Sequence, residues 1–231
     1  LIISAISGLY GVMLAIIQHN VKKLLAYHSI ENIGIIGMGI GIGCIGLGNG
    51  NQLVAWLGFS GALLHTLNHA LFKSLLFYTV GIVYQATHTL NIEHLGGLIK
   101  KMPHTTLLFL IAAFAICGIP PLNGFVSEFL IYSSLYQWVQ NATLVPLIVI
   151  IFSTLALVLI GGLALFCFTK AFGTIFLGEP RKKFVHEIHE APAIQRIPLY
   201  FIALLIVGIG IFPQGFFGVV SHATSVLTGN R

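Results

Sequence analysis

The feature of this sequence that most limits its fold is a succession of long apolar segments separated by short polar ones. A helix needs roughly 20 residues to cross the hydrocarbon core of a membrane, and backbone polar groups in lipid must be satisfied within a helix or a closed barrel. The apolar segments run approximately over 1–18, 24–47, 53–84, 105–136, 144–172 and 197–220. We therefore predict an all-α, polytopic transmembrane helical bundle of about six helices.

The composition excludes an ordinary soluble domain. Hydrophobic residues make up 57% of the chain and charged residues only 7%, whereas a typical soluble chain has about 25% charged residues. The formal net charge of +5 is explained by where the basic residues lie, so we do not take it as evidence of nucleic-acid binding. We expect the lipid bilayer to be the main surroundings of this chain.

The basic residues are concentrated in alternate loops between the apolar segments. They are Lys22 and Lys23 in the first loop, Lys100 and Lys101 in the third, and Lys170, Arg181, Lys182, Lys183 and Arg196 in or at the edge of the fifth. Loops that retain Lys and Arg face the cytoplasm in most membrane proteins. The pattern predicts that these three loops are cytoplasmic and that both chain ends lie on the other side.

Three ionisable residues lie inside the third apolar segment. His65, His69 and Lys73 follow one another at helical spacing, which places them on one side of a helix, with Asn68 beside them. Ionisable groups are costly in lipid and usually mark an ion or proton path. Imidazole suits proton transfer because its unperturbed pKa lies near neutrality. A lone histidine in a membrane is often a packing residue, but the three together favour a proton path.

The fourth apolar segment contains a break. Pro120 and Pro121 remove two backbone donors, so a regular helix cannot continue through them. Discontinuous helices at membrane depth recur at the ion sites of transporters. Glu128 lies about one turn beyond the break, and we interpret it as a path residue. The alternative is that Glu128 and Ser127 cap free amides where the second half-helix begins.

A second polar group opens the second apolar segment. His28, Glu31 and Asn32 share a helical face at the spacing i, i+3, i+4. One interpretation is a polar inlet from the cytoplasm. The other is that Glu31 is an interfacial carboxylate paired with Lys22 or Lys23, and the spacing alone does not favour either.

We expect no metal, redox cofactor or catalytic centre in this chain. The three cysteines lie apart in apolar segments, without the spacing of an iron–sulfur or haem site. They are Cys44, Cys117 and Cys167. The fifth loop carries a polar cluster, which we interpret as a solvated linker without a metal-ligand pattern. This cluster consists of His186, Glu187, His189 and Glu190.

Three motifs together resemble a known family. Residues 22–27, 65–73 and 118–128 are similar, in the same order, to motifs of the antiporter-like membrane subunits shared by respiratory complex I, multisubunit Na⁺/H⁺ antiporters and membrane-bound hydrogenases. Residues 25–34, 63–69 and 172–178 resemble the branch of formate hydrogenlyase and hydrogenase-4. The resemblance covers essentially the whole chain.

The resemblance implies a fold and a set of path residues. Lys73 falls on the family's buried lysine, Glu128 on the ionisable residue of its broken helix, and His65 and His69 on the histidines that link its water chain. The family contains two inverted repeats. We expect a single domain over 1–231, made of the second repeat (about 1–172) and one further helix (about 197–220), with the first repeat absent.

The resemblance also implies partners and a location. We expect other membrane subunits, a peripheral hydrogenase or iron–sulfur arm that carries the electrons, and protons as the transported species. We expect the bacterial or archaeal cytoplasmic membrane. The leading hypothesis is a membrane subunit that conducts or pumps protons in a redox-driven complex. The alternatives are a subunit of a secondary monovalent cation/proton antiporter and a purely structural subunit of a membrane arm.

Overall fold

The computed structural model describes residues 1–140, 143–181 and 187–228, and within this part of the chain the regular structure is helical. The α-helices are α1 (Ile2–Ile16), α2 (Val21–Gly48), α3 (Gln52–Thr87), α4 (Pro103–Ile116), α5 (Asn123–Val139), α6 (Leu144–Phe176), α7 (Ala193–Ile211) and α8 (Gln214–Thr228). Short 3-10 helices follow α3 at Ile92–His94 and Leu98–Lys100. The predicted all-α class is confirmed.

The six predicted segments correspond to these helices because two of the segments are broken. The fourth segment divides into α4 and α5, as Pro120 and Pro121 indicated. The sixth differs from the prediction of an uninterrupted span over 197–220. Its first helix, α7, begins at Ala193. This helix ends at Ile211 because Pro213 disfavours helical backbone at the preceding residue. Pro213 then accepts hydrogen bonds from the amides of Phe216 and Phe217, which begin α8.

Helix α3 is central to the bundle. It packs against α2, α4, α5, α7 and α8, whereas α1 packs against α2 and α6. Small residues allow the backbones of α2 and α3 to approach closely. A Cβ atom added at Gly39 would lie 3.0 Å from the carbonyl oxygen of Gly58, so a larger residue there would separate the helices. This close contact brings the polar residues of α2 within reach of α3.

The outer surface is that of a membrane protein. On α1, Ile3 is 84% exposed, and on α6, Leu144 and Val145 are 72% and 71% exposed. Within the described residues, α2, α6 and α7 are long and apolar enough to cross a membrane by length and composition. Burying these side chains in lipid removes their apolar surface from water.

The three basic loops lie at one end of the bundle. The first and third loops are joined by hydrogen bonds from the amide of Val21 to the Leu90 carbonyl (3.0 Å) and from the amide of Ile92 to the His19 carbonyl (2.9 Å). The third and fifth loops are joined by an ion pair between Lys100 and Glu179 (3.4 Å). Lys182 and Lys183 lie outside the described residues. The alternating arrangement of the loops is therefore seen in the fold.

The fifth loop also covers the start of α4. The carboxylate of Glu190 accepts hydrogen bonds from the backbone amides of His104 (2.8 Å) and Thr105 (3.2 Å). These amides have no partner within the helix because they belong to its first turn. Glu190 therefore stabilises the first turn of α4 from a distant part of the chain.

The polar residues of α2 lie between two apolar clusters. Leu24 and Leu25 belong to a cluster nearer the basic loops, whereas Ile35 and Met38 belong to a cluster nearer the other end. The intervening residues His28, Glu31 and Asn32 are all buried. The fold thus holds a polar layer near the middle of an otherwise apolar bundle.

Candidate functional site

The break between α4 and α5 places Glu128 beside the backbone of Gly118. Gly118 has a φ of +63°, a conformation that favours glycine. A Cβ atom added there would lie 2.7 Å from Oε2 of Glu128, so the carboxylate rests against the break. Glu128 is half-buried and makes no hydrogen bond with the described residues. The peptide bond between Pro120 and Pro121 is cis.

The capping alternative for Ser127 and Glu128 is not what the structure shows. Helix α5 begins at Asn123, and its N-cap residue Leu122 makes no side-chain capping hydrogen bond. The hydroxyl of Ser127 bonds the carbonyl oxygen of Gly124 (3.0 Å), which is an acceptor and not a free amide. Neither side chain therefore satisfies the free amides at the start of α5.

His65 joins three helices through its two ring nitrogens. The ring is fully buried. Its Nε2 bonds Oδ1 of Asn32 on α2 (3.1 Å), and its Nδ1 bonds Oγ of Ser127 on α5 (2.9 Å). Asn32 in turn donates from Nδ2 to the carbonyl of His28 (2.7 Å). A direct hydrogen-bonded chain therefore crosses from α2 through α3 to α5.

Two asparagines extend this chain to the helix break. Asn68 donates from Nδ2 to Oγ of Ser127 (3.0 Å) and to the carbonyl of Asn123 (2.7 Å). Asn123, the first residue of α5, donates from Nδ2 to Oδ1 of Asn68 (3.1 Å). Buried polar groups in an apolar bundle are costly unless they are hydrogen-bonded, so this network also determines how α3 and α5 pack.

His28 and Glu31 form a pair inside the bundle. Their side chains are 0% and 1% exposed, and Nδ1 of His28 contacts Oε2 of Glu31. The His28 ring lies against Phe168 of α6, with ring centroids 4.6 Å apart. Nε2 of His28 has no hydrogen-bond partner among the described residues.

The partner of Glu31 is therefore different from the one that the interfacial interpretation requires. Lys22 and Lys23 lie at the start of α2 and are exposed, and both of their backbone amides bond Oδ1 of Asn20. The ammonium of Lys22 lies over the ring of Tyr84, 5.1 Å from its centroid. Because Glu31 is buried and paired with His28, the interpretation of Glu31 as an interfacial partner of these lysines is wrong.

Lys73 contacts α2 one turn away from this pair. Its side chain is buried, and Nζ donates a hydrogen bond to the carbonyl of Leu25. Leu25 lies three residues before His28, so the ammonium group reaches the same stretch of α2. The Phe77 ring lies beside it, with Nζ 6.0 Å from the ring centroid.

His69, like Lys73, lies outside the direct chain that contains His65. It is half-buried, and its ring meets Phe72 edge-on with centroids 5.6 Å apart. Its Nε2 is buried without a hydrogen-bond partner among the described residues. The regular spacing on α3 therefore corresponds to three different surroundings for His65, His69 and Lys73.

Three residues of the network were not predicted as site residues: Asn68, which was noted beside the path residues, and Asn123 and Ser127. Asn123 and Ser127 are four residues apart, which places them on one face of α5, and Ser127 directly precedes Glu128. Small polar residues spaced in this way beside a break were a usable signal. The spacing did not indicate which helix these two residues would contact.

The described residues contain no group of three or more His, Cys, Asp or Glu side chains that could hold a metal ion. In the fifth-loop cluster, Glu187 and His189 are exposed and 3.5 Å apart. Glu190 is bonded to α4, and His186 lies outside the described residues. The buried arrangement described above consists of titratable side chains and neutral polar side chains, of which His65 is hydrogen-bonded directly to neutral partners.

Comparison with known proteins gives consistent matches. Residues 1–157 match the family model described as "NADH:quinone oxidoreductase/Mrp antiporter, TM". Hydrogenase-4 component B of Escherichia coli (strain K12) is 37% identical over 226 residues, which are 98% of this chain and 34% of the relative. Formate hydrogenlyase subunit 3 of the same organism is 37% identical over 204 residues, 88% of this chain and 34% of the relative. The chain thus spans about a third of the length of these curated relatives.

A solved structure has the same fold. The Mrp complex from Dietzia sp. DQ12-45-1b contains a chain that superposes with a TM-score of 0.80 at 19% sequence identity, over 98% of this chain and 46% of that one. At this level of identity the likeness concerns the fold. It includes α7 and α8, which lie beyond the residues matched by the family model.

Proposed function

This chain belongs to the NADH:quinone oxidoreductase/Mrp antiporter transmembrane family, and from that premise we propose that it is part of a membrane subunit that moves protons in a redox-driven, hydrogenase-type complex. The observation that carries the proposal is the buried chain of hydrogen bonds across α2, α3 and α5, centred on His65. Polar and ionisable groups at this depth are retained in membrane proteins mainly where ions or protons pass.

The path residues are Lys73, His65, His69 and Glu128. Lys73 contacts the stretch of α2 that carries the His28–Glu31 pair, so we assign Lys73 to the part of the path next to that pair. His65 lies between that region and the helix break, and Glu128 lies against the break. The neutral side chains orient His65, while the proton moves between titratable groups across bridging water.

His28, Glu31 and Asn32 form the inlet in this proposal. Glu31 lies 10 residues from the start of α2, or ~15 Å at the rise of an α-helix, so the inlet would connect the basic-loop end with the buried polar layer. The three basic loops lie at the same end of the bundle. We place that end in the cytoplasm, in the cytoplasmic membrane of a bacterium or archaeon, because basic loops are retained on that side.

The partners in this proposal are other membrane subunits and a peripheral hydrogenase or iron–sulfur arm. Relatives with 37% identity are named as parts of hydrogenase-4 and formate hydrogenlyase, which supports the redox branch. A secondary cation/proton antiporter is the second candidate, and the family description, which includes the Mrp antiporter, favours it. A purely structural subunit is the third, and the cost of burying Glu31, Lys73 and Glu128 weighs against it.

The test uses the full-length subunit in its complex, in inverted membrane vesicles. Lys73→Ala and Glu128→Gln are each expected to lower proton pumping per hydrogen evolved by about tenfold or more, since each removes a proton-transfer group. Lys170→Ala and Glu179→Gln are the matched controls. Lys170 is half-buried and donates to the carbonyl of Ile16 (3.1 Å) near the basic loops, and Glu179 is exposed.

The outcome separates the three candidates. Loss of pumping in both path variants, with assembly and both controls unchanged, supports the proposal. Pumping at the native level in Lys73→Ala and Glu128→Gln would leave only the structural role. Exchange of Na⁺ or K⁺ for protons in vesicles without hydrogen evolution would favour the antiporter.

A further inference from the structure

Ser127 is the meeting point of the buried network. Its Oγ lies 2.9 Å from Nδ1 of His65, 3.0 Å from Nδ2 of Asn68 and 3.0 Å from the carbonyl oxygen of Gly124. A hydroxyl has one proton to donate and two lone pairs that accept. These three neighbours match its full capacity only when Nδ1 of His65 carries a proton; otherwise Nδ1 and the Gly124 carbonyl compete for the one hydroxyl proton.

The orientation of two asparagines determines which atoms face His65 and Ser127. Nδ2 of Asn32 meets the carbonyl oxygen of His28, and Nδ2 of Asn68 meets the carbonyl oxygen of Asn123, both at 2.7 Å. A backbone carbonyl can only accept, so each amide must present its NH₂ group there. Oδ1 of Asn32 consequently faces the His65 ring and requires a proton on Nε2.

The other ring nitrogen then has two possible states. When the ring is neutral, Nδ1 is an acceptor, and the Ser127 hydroxyl donates to it. When the ring is charged, Nδ1 carries a proton and donates to Oγ of Ser127. In that state the hydroxyl can direct its own proton to the carbonyl of Gly124, while Asn68 donates to Oγ in both states.

We propose that Ser127 is a positioning residue for proton transfer, whose hydroxyl turns between His65 and Gly124 so that the buried ring can gain or lose a proton without losing a hydrogen bond. The inference rests on the proposed function, which supplies the conducted proton. When the ring becomes charged, an N–H bond forms at Nδ1 and the bond to that hydrogen breaks at a titratable donor of the path, from which the proton arrives across bridging water. The O–H bond of Ser127 stays intact and turns from Nδ1 to the carbonyl of Gly124, since both atoms already lie at bonding distance.

This arrangement connects the charge of His65 to the helix break. Gly124 lies in the first turn of α5, and Glu128 directly follows Ser127. The carbonyl of Gly124 receives the extra hydrogen bond only when the ring is charged. The first turn of α5 therefore has a different hydrogen-bonding state for each charge state of His65. Glu128, the next acid of the path, lies beside this turn.

The test compares Ser127→Ala with Ser127→Thr in the full-length subunit within its complex. Loss of a hydrogen bond to a buried charged group disfavours that charged state by about tenfold or more. We expect Ser127→Ala to lower proton pumping per hydrogen evolved by about that factor and Ser127→Thr, which keeps the hydroxyl, to restore it. Ser134→Ala is the matched control, because Ser134 is equally buried on α5 and bonds the carbonyl of Val54 on α3 (2.8 Å).

A second measurement does not depend on pumping. The ring nitrogens of ¹⁵N-labelled His65 report their protonation and hydrogen bonding by solid-state NMR. We expect a protonated Nε2 and a hydrogen-bonded Nδ1 in the native protein, in Ser127→Thr and in Ser134→Ala. In Ser127→Ala the Nδ1 signal should lose the hydrogen-bonded shift.

The results distinguish this inference from the proposed function. Native pumping in Ser127→Ala, or equal loss in Ser127→Ala and Ser127→Thr, overturns the role of the hydroxyl even if Lys73→Ala and Glu128→Gln abolish pumping. An unprotonated Nε2 or an unchanged Nδ1 signal in Ser127→Ala overturns the hydrogen-bond assignment. If neither Lys73 nor Glu128 matters for pumping, the proposed function fails, and the role of Ser127 in transfer fails with it.

Discussion

At the scale of the residue, the His28–Glu31 pair is the clearest consequence of placing charge inside an apolar bundle. The other ion pairs among the described residues have side chains that are 58–87% exposed, whereas this one is withdrawn from solvent. Surface ion pairs contribute little to stability. The stability of a buried carboxylate, in contrast, depends on its partner, because no water is present that could replace that partner.

His28→Ala is expected to destabilise the subunit by about 3 kcal/mol, the effect of leaving a buried charge without its partner. Adding Glu31→Gln in the same chain should recover part of this loss, because the uncompensated charge is then removed. The temperature of half-inactivation of the solubilised complex measures both effects. Ser29→Ala, one residue away on the same turn and half-buried, is the control and should change that temperature little.

Equal stability of the single His28→Ala variant and the double variant would contradict this account. It would mean that the carboxylate of Glu31 finds another partner when the ring is absent.

At the scale of the element, the break between α4 and α5 is held in place by its neighbours. Gly210 of α7 packs against backbone at the break, and a Cβ atom added there would lie 2.7 Å from Cα of Leu122. On the other side, Gly118 adopts a left-handed conformation against the carboxylate of Glu128. The broken segment is therefore positioned by α7 as well as by its own prolines.

Gly118→Ala is expected to destabilise the subunit by about 1–2 kcal/mol, since an L-residue is strained at this φ, and its methyl group would also displace Glu128. Proton pumping should fall together with the temperature of half-inactivation. Gly161→Ala is the control, because Gly161 lies in α6, where the added methyl group would meet no other described helix within 4 Å.

A native pumping rate in Gly118→Ala would show that Glu128 works without this contact. A loss of the same size in Gly161→Ala would show that the bundle is sensitive to any added methyl group, and the effect at the break would then have no special meaning.

At the scale of the whole molecule, the loops arrange the bundle into two ends. Hydrogen bonds and an ion pair join the first, third and fifth loops, and Glu190 attaches the fifth loop to α4. One crossing, α2, separates the first loop from the turn after α2, and one broken crossing, α4 with α5, separates the third loop from the end of α5. Both of these regions therefore belong to the opposite end. The proton path would run between these ends through the polar layer.

This arrangement predicts from which side of the membrane a reagent reaches single cysteines. They are introduced one at a time into a subunit whose native cysteines have all been replaced by alanine. Lys101→Cys and Glu179→Cys should react with a membrane-impermeant maleimide in inverted vesicles, where the cytoplasmic side faces out. Asn49→Cys and Gln140→Cys should react in right-side-out vesicles instead. All four positions are exposed, so reaction of all four from one side would contradict the two-ended topology, and a reversed pattern would place the basic loops outside.

Much of the fold was available from local patterns. The apolar segments, the break at Pro120 and Pro121, and the alternation of basic loops are properties of contiguous residues, and all three appear in the fold. The break at Pro213 was missed because its proline sits among apolar residues that extend the segment. The buried position of Lys73 followed from its depth within a long apolar segment, whereas the sequence left an interfacial position open for Glu31.

The candidate site was only partly predictable for a physical reason. Periodicity and segment length, which depend only on neighbours along the chain, were enough to place His65, Lys73 and Glu128 at membrane depth. Tertiary structure alone decided that His65 bonds Asn32 and Ser127, and that Glu31 pairs with His28 and not with a lysine. Such partners depend on the register and distance between helices, which close packing at small residues such as Gly39 determines and which no single helix encodes.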